Sequence, residues 1–271
     1  MIYIFVIIFL ILPSLYVLST MGRKGHPLLN ELRKWSYAHR GLHGNGVPEN
    51  SLLAFALAKE AGYGIELDIH LLRDGNLAIM HDSLLLRTTG CEGRLEDLTA
   101  EDFGKYRLEQ TQEKIPLFKQ VLDLIQGEVP LILELKAGPG VKIDDLCTKV
   151  CQMLDDYSGL YCLESFDPRC VIWLRKNRPE LVRGQLTENY FMSANSKLPW
   201  FLKFILRHQM FNFLTYPDFI AYRYADRITV SNVICRNFWK LQGVSWTIQN
   251  EQAYDTAVEE KWIPIFEGFQ P

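Results

Sequence analysis

Three carboxylates lie within or at the end of short, largely apolar segments. Their spacing suits a metal site that catalyses hydrolysis. Glu66 and Asp68 are two residues apart in an alternating run, and Glu134 follows the apolar run Leu-Ile-Leu. Residues two apart on a strand point to the same face, so the first two carboxylates are predicted to lie side by side. Adjacent carboxylates repel unless a cation neutralises them. A divalent metal site is one interpretation, and a polar interior in which Arg or Lys pairs with these acids is the other.

One divalent cation is the predicted cofactor. Three carboxylates with water completing the coordination shell suit Mg²⁺ or Ca²⁺, whereas Zn²⁺ prefers nitrogen and sulfur ligands. His39 and His81 each end a predicted strand, and imidazoles exchange protons near neutral pH. Histidines beside a metal suit general acid–base catalysis, although a histidine in isolation is more often structural.

The elements that position these residues alternate between short apolar strands and longer helical patterns. The predicted strands span residues 35–39, 63–71, 77–81, 131–135, 160–164, 181–186, 219–222, 244–248 and 262–266, of which 77–81 returns as a hairpin. Most of the others are separated by helical patterns, so a parallel α/β architecture is predicted. No helical pattern follows the last strand, and we expect residues 28–34 to cover that gap.

The ordered motifs resemble those of the glycerophosphodiester phosphodiesterase family. That pattern runs His-Arg-Gly, Glu-Asn-Thr, Glu-x-Asp, Lys-Asp-Gly, His-Asp, Glu-x-Lys, Ser-Phe and Trp-Thr-Val. Here the motifs are His39-Arg40-Gly41, Glu49-Asn50-Ser51, Glu66-Leu67-Asp68, Arg73-Asp74-Gly75, His81-Asp82, Glu134-Leu135-Lys136, Ser165-Phe166 and Trp246-Thr247-Ile248. The resemblance covers residues 37–271, and the family's late Gly-x-x-Thr-Asp-x-Pro is replaced by Phe-Glu-Gly-Phe-Gln-Pro at 266–271.

The resemblance implies a TIM (β/α)₈ barrel and metal-dependent hydrolysis of glycerophosphodiesters, within lipid metabolism, to sn-glycerol 3-phosphate and an alcohol. Lysophospholipids are further expected substrates, with a lysophosphatidic acid as the product. The resemblance assigns His39 and His81 as acid and base without deciding which is which. Arg40 and Lys136 are placed to bind phosphate oxygens. Trp246 is placed to pack against the glycerol or the leaving group, or else it is a core tryptophan.

Residues 1–22 carry no charged side chain and are mostly Ile, Leu, Phe, Val and Tyr. As a helix they would span about 33 Å, enough to cross the hydrocarbon core of a membrane. A cleaved signal peptide is the alternative, but it would have a basic start and a small-x-small cleavage site, and both are missing here. We therefore expect a transmembrane helix at 1–22, a basic juxtamembrane segment at 23–35 and the barrel at 36–271.

The expected location is the membrane, with the catalytic domain facing the cytoplasm. Arg23, Lys24, Arg33 and Lys34 all follow the apolar segment, and positive residues flank transmembrane helices on the cytoplasmic side. The six cysteines form no C-x-x-C pair, which agrees with a reducing compartment.

Insertions are predicted at residues 83–115 and 187–215. Within the second, residues 198–214 combine Trp, Phe, Leu, Ile and Met with Lys203, Arg207 and His208. One interpretation is a buried helix or a subunit contact. The other is an interfacial helix that lies in the membrane surface beside the active site.

The expected partners are a glycerophosphodiester or lysophospholipid substrate and the membrane. A net charge of −3 over 271 residues gives no nucleic-acid footprint, and no oligomeric state is predicted. The alternative from another class is a catalytically silent, membrane-tethered barrel that binds phospholipid headgroups or a protein partner. The altered motif at 266–271 is the feature that favours this alternative.

Overall fold

The computed structural model describes residues 2–138, 140–193 and 196–271, with side chains from residue 10 onward, and within them eight parallel strands form a closed ring. Two helices, α1 (Ile2–Ser19) and α2 (Leu29–Leu32), come before the first strand, β1 (Tyr37–His39). The chain continues through α3 (Leu52–Glu60), β2 (Gly64–Leu71), β3 (Leu77–Ile79), α4 (Leu86–Thr89), α5 (Phe118–Ile125), β4 (Leu131–Leu135), α6 (Ile143–Leu154), β5 (Tyr161–Ser165), α7 (Pro168–Asn177), β6 (Arg183–Thr187), α8 (Trp200–Arg207), α9 (Asn212–Thr215), β7 (Phe219–Arg223), α10 (Val230–Val233), β8 (Gln242–Ile248), α11 (Glu251–Glu259) and β9 (Trp262–Phe266).

The ring closes because β1 pairs in parallel with both β2 and β9. The order around it is β1, β2, β4, β5, β6, β7, β8 and β9, while β3 adds antiparallel to β2 as a hairpin. Helices lie between most successive strands, as the right-handed crossover of parallel strands requires. The predicted TIM barrel is confirmed.

Alternating residues on the strands supply two separate apolar cores. Ile65 and Leu67 on β2 face outward and pack with α3, α5 and α6. Tyr37 and Phe219 face the barrel interior, where they pack with Leu32 of α2. The Tyr37 hydroxyl donates to the Leu32 carbonyl at 3.0 Å. Because Tyr37 and Phe219 begin their strands, α2 covers the N-terminal opening of the barrel. This helix lies within residues 28–34, the segment that was expected to cover the gap after the last strand.

The C-terminal part of α1 is docked on the barrel. The indole of Trp239 donates to the Val17 carbonyl at 3.0 Å, and Arg23 binds the buried carboxylate of Asp218 at 2.5 and 2.6 Å. Among the residues the structure describes, none of the helices combines the length and the apolarity needed to cross a membrane. The transmembrane helix predicted at residues 1–22 is therefore not confirmed.

The apolar segment at 198–214 contains α8 and α9, and α8 has no buried residue. Trp200, Phe201 and Phe204 are 73%, 48% and 45% exposed. The interpretation of α8 as a buried helix is therefore wrong, because its wide apolar face has no covering layer in the described chain. The helical turns of α10 and the π-helical turn Ile234–Phe238, between β7 and β8, were not predicted.

Candidate active site

Strand register places the predicted site residues in adjoining positions inside the barrel. His39 on β1 is opposite Glu66 on β2, and Asp68 on β2 is opposite Glu134 on β4. Glu134 is in turn opposite Glu164 on β5. Since neighbouring residues in register share a face, these side chains meet near the C-terminal ends of the strands, the end at which TIM barrels carry their active sites.

Glu66, Asp68 and Glu134 form one buried group whose candidate ligand oxygens all lie within 4.8 Å of one another. Lys136 binds two of these acids, with Nζ 2.9 Å from Asp68 Oδ1 and 2.8 Å from Glu134 Oε1. The backbone N–H of Arg40 donates to Glu66 Oε2 at 3.2 Å. The structure thus combines both sequence interpretations, because the acids are grouped as a metal site requires and are also paired with a lysine.

The three acids differ in their electrostatic surroundings. Burial, followed by the repulsion of Asp68 and Glu134, raises the pKa of Glu66 well above its usual range. Burial also raises the pKa of Glu134, to about 7, against the attraction of Lys136. Burial acts to raise the pKa of Asp68 too, but Lys136 and further cationic neighbours hold it well below its ordinary value. Protons or a cation must therefore accompany Glu66 and Glu134.

A divalent cation fits this donor set. When all are ionised, the three acids and the neighbouring Glu164 exceed the positive charges of Arg40 and Lys136 by two. The grouped ligand atoms are all carboxylate oxygens, the donors that hard cations prefer. These three acids would hold the ion, which would polarise a phosphoryl oxygen when bound.

His39 is held by a residue from the altered C-terminal motif. Its Nδ1 lies 2.6 Å from Glu267 Oε2, and its Nε2 lies 3.9 Å from Glu66 Oε2. The hydrogen bond from His39 lowers the pKa of Glu267 to about 2, so this carboxylate accepts and Nδ1 carries the proton. Burial lowers the pKa of His39, against the opposing effect of Glu267. His43 Nε2 lies 3.8 Å from the other oxygen of Glu267.

His81 is held in the same way by its neighbour in sequence. Its Nδ1 lies 2.6 Å from Asp82 Oδ1, and Arg87 contacts the other oxygen of that carboxylate. The hydrogen bond from His81 helps to hold the pKa of Asp82 well below its ordinary value. Burial, followed by the charge of Lys136, lowers the pKa of His81. His70 contacts the backbone carbonyl of His81 at 3.3 Å and is not in the carboxylate group.

Arg40 and Asn50 join the first motifs to the carboxylates. Arg40 Nη1 donates to Glu49 at 2.9 Å, and its Nε lies 3.5 Å from Asp68. The Asn50 amide donates to Asp68 at 2.8 Å, while Ser51 caps α3 by accepting from the Ala54 N–H. Ser51 is thus the N-cap of α3, whereas the side chain of Asn50 supports the site.

A cavity of about 40 Å³ lies among these groups, lined by His39, Arg40, Glu66, His81, Glu134, Glu164, Phe166, Leu186, Trp246 and Ile265. Trp246 packs edge-on against Phe166, with ring centroids 5.6 Å apart, and its indole nitrogen is buried without a hydrogen-bond partner among the described residues. The volume suits a cation and a few water-sized atoms. A larger ligand must extend over the rim.

Two residues of this site, Glu267 and Glu164, were not predicted from the sequence. Glu267 lies in the motif that departs from the family pattern, and only closure of the ring brings it to His39. Glu164 follows the apolar run Tyr-Cys-Leu on β5, just as Glu134 follows the apolar run Leu-Ile-Leu on β4. That parallel pattern was the available signal for Glu164.

Proteins similar to this chain share its fold, and a family model matches most of its length. The model of the Glycerophosphoryl diester phosphodiesterase family matches residues 39–261. A glycerophosphodiester phosphodiesterase of Bacillus altitudinis is 42% identical over 119 residues, which are 39% of this chain and 48% of that protein. Glycerophosphodiester phosphodiesterase 1 of Bos taurus is 27% identical over 251 residues, covering 80% of this chain and 73% of that protein.

Among solved structures, an Oleispira antarctica phosphodiesterase in complex with the product sn-glycerol-3-phosphate superposes with a TM-score of 0.71 at 21% identity, covering 86% of this chain and 92% of that one. A glycerophosphodiester phosphodiesterase from Thermotoga maritima gives a TM-score of 0.64 at 22% identity, covering 86% and 93%. At such identities the similarity concerns the fold.

The fold and the site define a TIM barrel that carries grouped carboxylates and two carboxylate-held histidines at the C-terminal ends of its strands. The chain belongs to the glycerophosphoryl diester phosphodiesterase family, because the family model matches most of its length. The matched region covers 48% of the Bacillus altitudinis relative, and the corresponding figure is 65% for a relative from Caldanaerobacter subterraneus.

Proposed function

We propose that this chain hydrolyses glycerophosphodiesters to sn-glycerol 3-phosphate and an alcohol, using one Mg²⁺ or Ca²⁺ ion. The observation that carries the proposal is the pair of carboxylate-held histidines, His39 and His81, on a cavity that also contains the three grouped acids. The names of the relatives point to the same substrate class.

The two histidines divide the proton transfers. Because Nδ1 of each donates to a carboxylate, Nε2 of each is left for the substrate. One Nε2 accepts the proton of the attacking hydroxyl, from water or from the glycerol, as the new P–O bond forms. The other Nε2–H donates a proton to the leaving alkoxide oxygen as its P–O bond breaks.

The cations near the cavity have different assignments in this proposal. Arg40 Nε lies 3.5 Å from Asp68 but has no hydrogen-bond partner among the described residues, and Arg40 is proposed to bind a phosphate oxygen. Lys136 is already bound to Asp68 and Glu134, so its proposed contribution is positive charge close to the phosphate. Trp246 is proposed to pack against the glycerol or leaving group.

Turnover of candidate diesters is the direct test. The purified chain is incubated with glycerophosphocholine, glycerophosphoethanolamine or lysophosphatidylcholine, with Mg²⁺, with Ca²⁺ or with a chelator. We expect metal-dependent release of phosphomonoester. His39→Ala and His81→Ala should each lower kcat by at least ~10²-fold, whereas His26→Ala, at a half-buried histidine that contacts the Glu180 carbonyl, should not. Binding of these compounds without turnover would instead favour a silent headgroup-binding barrel.

We also propose that the rim next to the site contacts membrane lipid, which would bring lysophospholipids within reach. Trp200, Phe201 and Phe204 are exposed on α8, which follows β6. Ile228 and Val230, after β7, are 87% and 66% exposed. Basic side chains on α8, Lys203 and Arg207, suit anionic headgroups.

Vesicle sedimentation tests this contact. A triple variant with Trp200, Phe201 and Phe204 replaced by Ser should bind phosphatidylcholine–phosphatidylglycerol vesicles more weakly than wild type and lose turnover of lysophosphatidylcholine, and should keep glycerophosphocholine turnover. Val258→Ser on α11 is the matched control, because Val258 is also 48% exposed. Equal vesicle binding by wild type and triple variant would favour a subunit contact.

A membrane location, with the catalytic domain facing the cytoplasm, remains part of the proposal. It is supported by the basic residues after the N-terminal apolar segment and by six cysteines that are all free thiols, as in a reducing compartment. Fractionation of cells and protease protection of the intact chain would test it.

A further inference from the structure

A carboxyl group that the proposed mechanism does not use lies in the wall of the cavity. Glu164 is 1% exposed and is opposite Glu134 in the sheet. Its Oε2 is buried and has no hydrogen-bond partner within the described part of the chain. Leaving a buried polar atom unpaired is unfavourable, so a bound molecule is the expected partner.

The surroundings of Glu164 indicate what that molecule is. It shares the cavity with the apolar side chains of Phe166, Leu186, Trp246 and Ile265. The indole N–H of Trp246 is also buried without a partner in the described residues. An unpaired acceptor and an unpaired donor together match a hydroxyl group, which donates one hydrogen bond and accepts another. The apolar side chains match the C–H groups of a small polyol.

A direct bond to the cation explains Glu164 less well. In the residues described, the acids whose ligand atoms lie within 4.8 Å of one another are Glu66, Asp68 and Glu134. Glu164 lies outside that group and next to the apolar side chains of the cavity.

We infer that Glu164 hydrogen-bonds a hydroxyl group of the glycerol moiety and so selects glycerol-bearing phosphates over analogues without hydroxyl groups. The inference rests on the proposed function for the identity of the polyol. Its test does not need turnover, because recognition of a hydroxyl is measured by binding.

The experiment compares sn-glycerol 3-phosphate with n-propyl phosphate by titration calorimetry on the full chain with saturating Ca²⁺ or Mg²⁺. The two ligands share a phosphate and a three-carbon chain and differ in the hydroxyl groups. We expect the wild type to bind the glycerol compound at least ~10-fold more tightly, since a site built for a hydroxyl rejects an analogue that lacks it. Glu164→Leu should abolish this preference and leave propyl phosphate binding within ~3-fold.

Glu164→Gln should keep most of the preference, because an amide also pairs with a hydroxyl. Glu164→Ala serves the same purpose as the leucine variant if the latter does not fold. A preference that survives both apolar replacements overturns the inference, as does a wild type that binds both ligands equally. A loss of metal affinity of ~10-fold or more in these variants, titrated with metal alone, would make Glu164 a cation ligand and also overturn it.

Failure of the proposed function gives a different result, namely no hydrolysis of any glycerophosphodiester. A chain that fails there and still discriminates between the two phosphates through Glu164 would support the inference alone.

Discussion

Replacing Glu267 by Gln is the sharpest test of how the altered C-terminal motif serves the site. The change keeps the size of the side chain and removes its charge. The pKa of Glu267 falls from 4.5 to about 2, with the hydrogen bond from His39 as the largest cause. At 1.36 kcal/mol per pKa unit, this is a net effect of about 3 kcal/mol, in which the interactions with His39, His43 and Arg40 outweigh the opposing effect of burial.

Most of that interaction is expected to appear in the rate. A glutamine can present its N–H₂ to His39 Nδ1 and so favour the tautomer with the proton on Nε2, which cannot act as a base. We expect kcat/KM for glycerophosphocholine to fall ~10²-fold, which corresponds to about 2.7 kcal/mol. Burial lowers the pKa of His39, and the hydrogen bond to Glu267 opposes that effect. In the Gln variant this opposition is lost, so the limb of the pH–rate profile that reports His39 should move to lower pH.

Steady-state rates from pH 5 to 9 provide the assay, and two further variants separate positioning from general damage. Glu267→Asp keeps the charge and should recover part of the rate. His43→Ala removes a group 3.8 Å from the other carboxylate oxygen and should change the rate less than ~3-fold. If Glu267→Gln stays within ~3-fold of wild type and its pH profile is unmoved, the proposed positioning of His39 is wrong.

Two further predictions concern stability. Arg23→Ala leaves the fully buried Asp218 carboxylate without its ion-pair partner and should lower the free energy of unfolding by about 3 kcal/mol in urea titrations. Lys24→Ala is the control, and a loss under ~1 kcal/mol for Arg23→Ala would contradict the buried pairing. The second prediction follows from the raised pKa of Glu66: the folded chain holds a proton that the unfolded chain has released, so stability falls as pH rises toward the folded pKa. As pH rises from 5, just above the ordinary pKa of 4.5, the chelated protein should lose stability that the cation-loaded protein keeps, and equal losses would argue against a cation on this acid.

Much of the fold was predictable because each barrel strand carries its own local signal. The predicted strands at 131–135 and 262–266 coincide with β4 and β9, since an apolar run is a property of neighbouring residues. The segment after β7 was missed because Val230, Val233 and Ile234 are β-branched, which weakens a helical pattern. There the packing of Cys235 and Leu241 against Ile220 supplies what the local sequence lacks.

The site was predictable where chemistry is local and was not where it depends on register. Glu66 and Asp68 were identified because strand alternation alone places them on one face. Which residue lies opposite Glu134 depends on the pairing of β4 with β5, and sequence spacing does not specify that pairing. Glu164 was therefore missed, although it follows an apolar run just as Glu134 does.

The two histidines illustrate the same limit within one mechanism. The carboxylate that holds His81 is the next residue, Asp82, so a motif contains both partners. The carboxylate that holds His39 is 228 residues away and reaches it because β9 closes the ring on β1. A departure from a family motif at the last strand therefore does not remove the chemistry if ring closure delivers an equivalent group. Here the altered motif supplies Glu267, which holds His39. The same motif was the main argument for a catalytically silent barrel, and this contact now favours an active site instead.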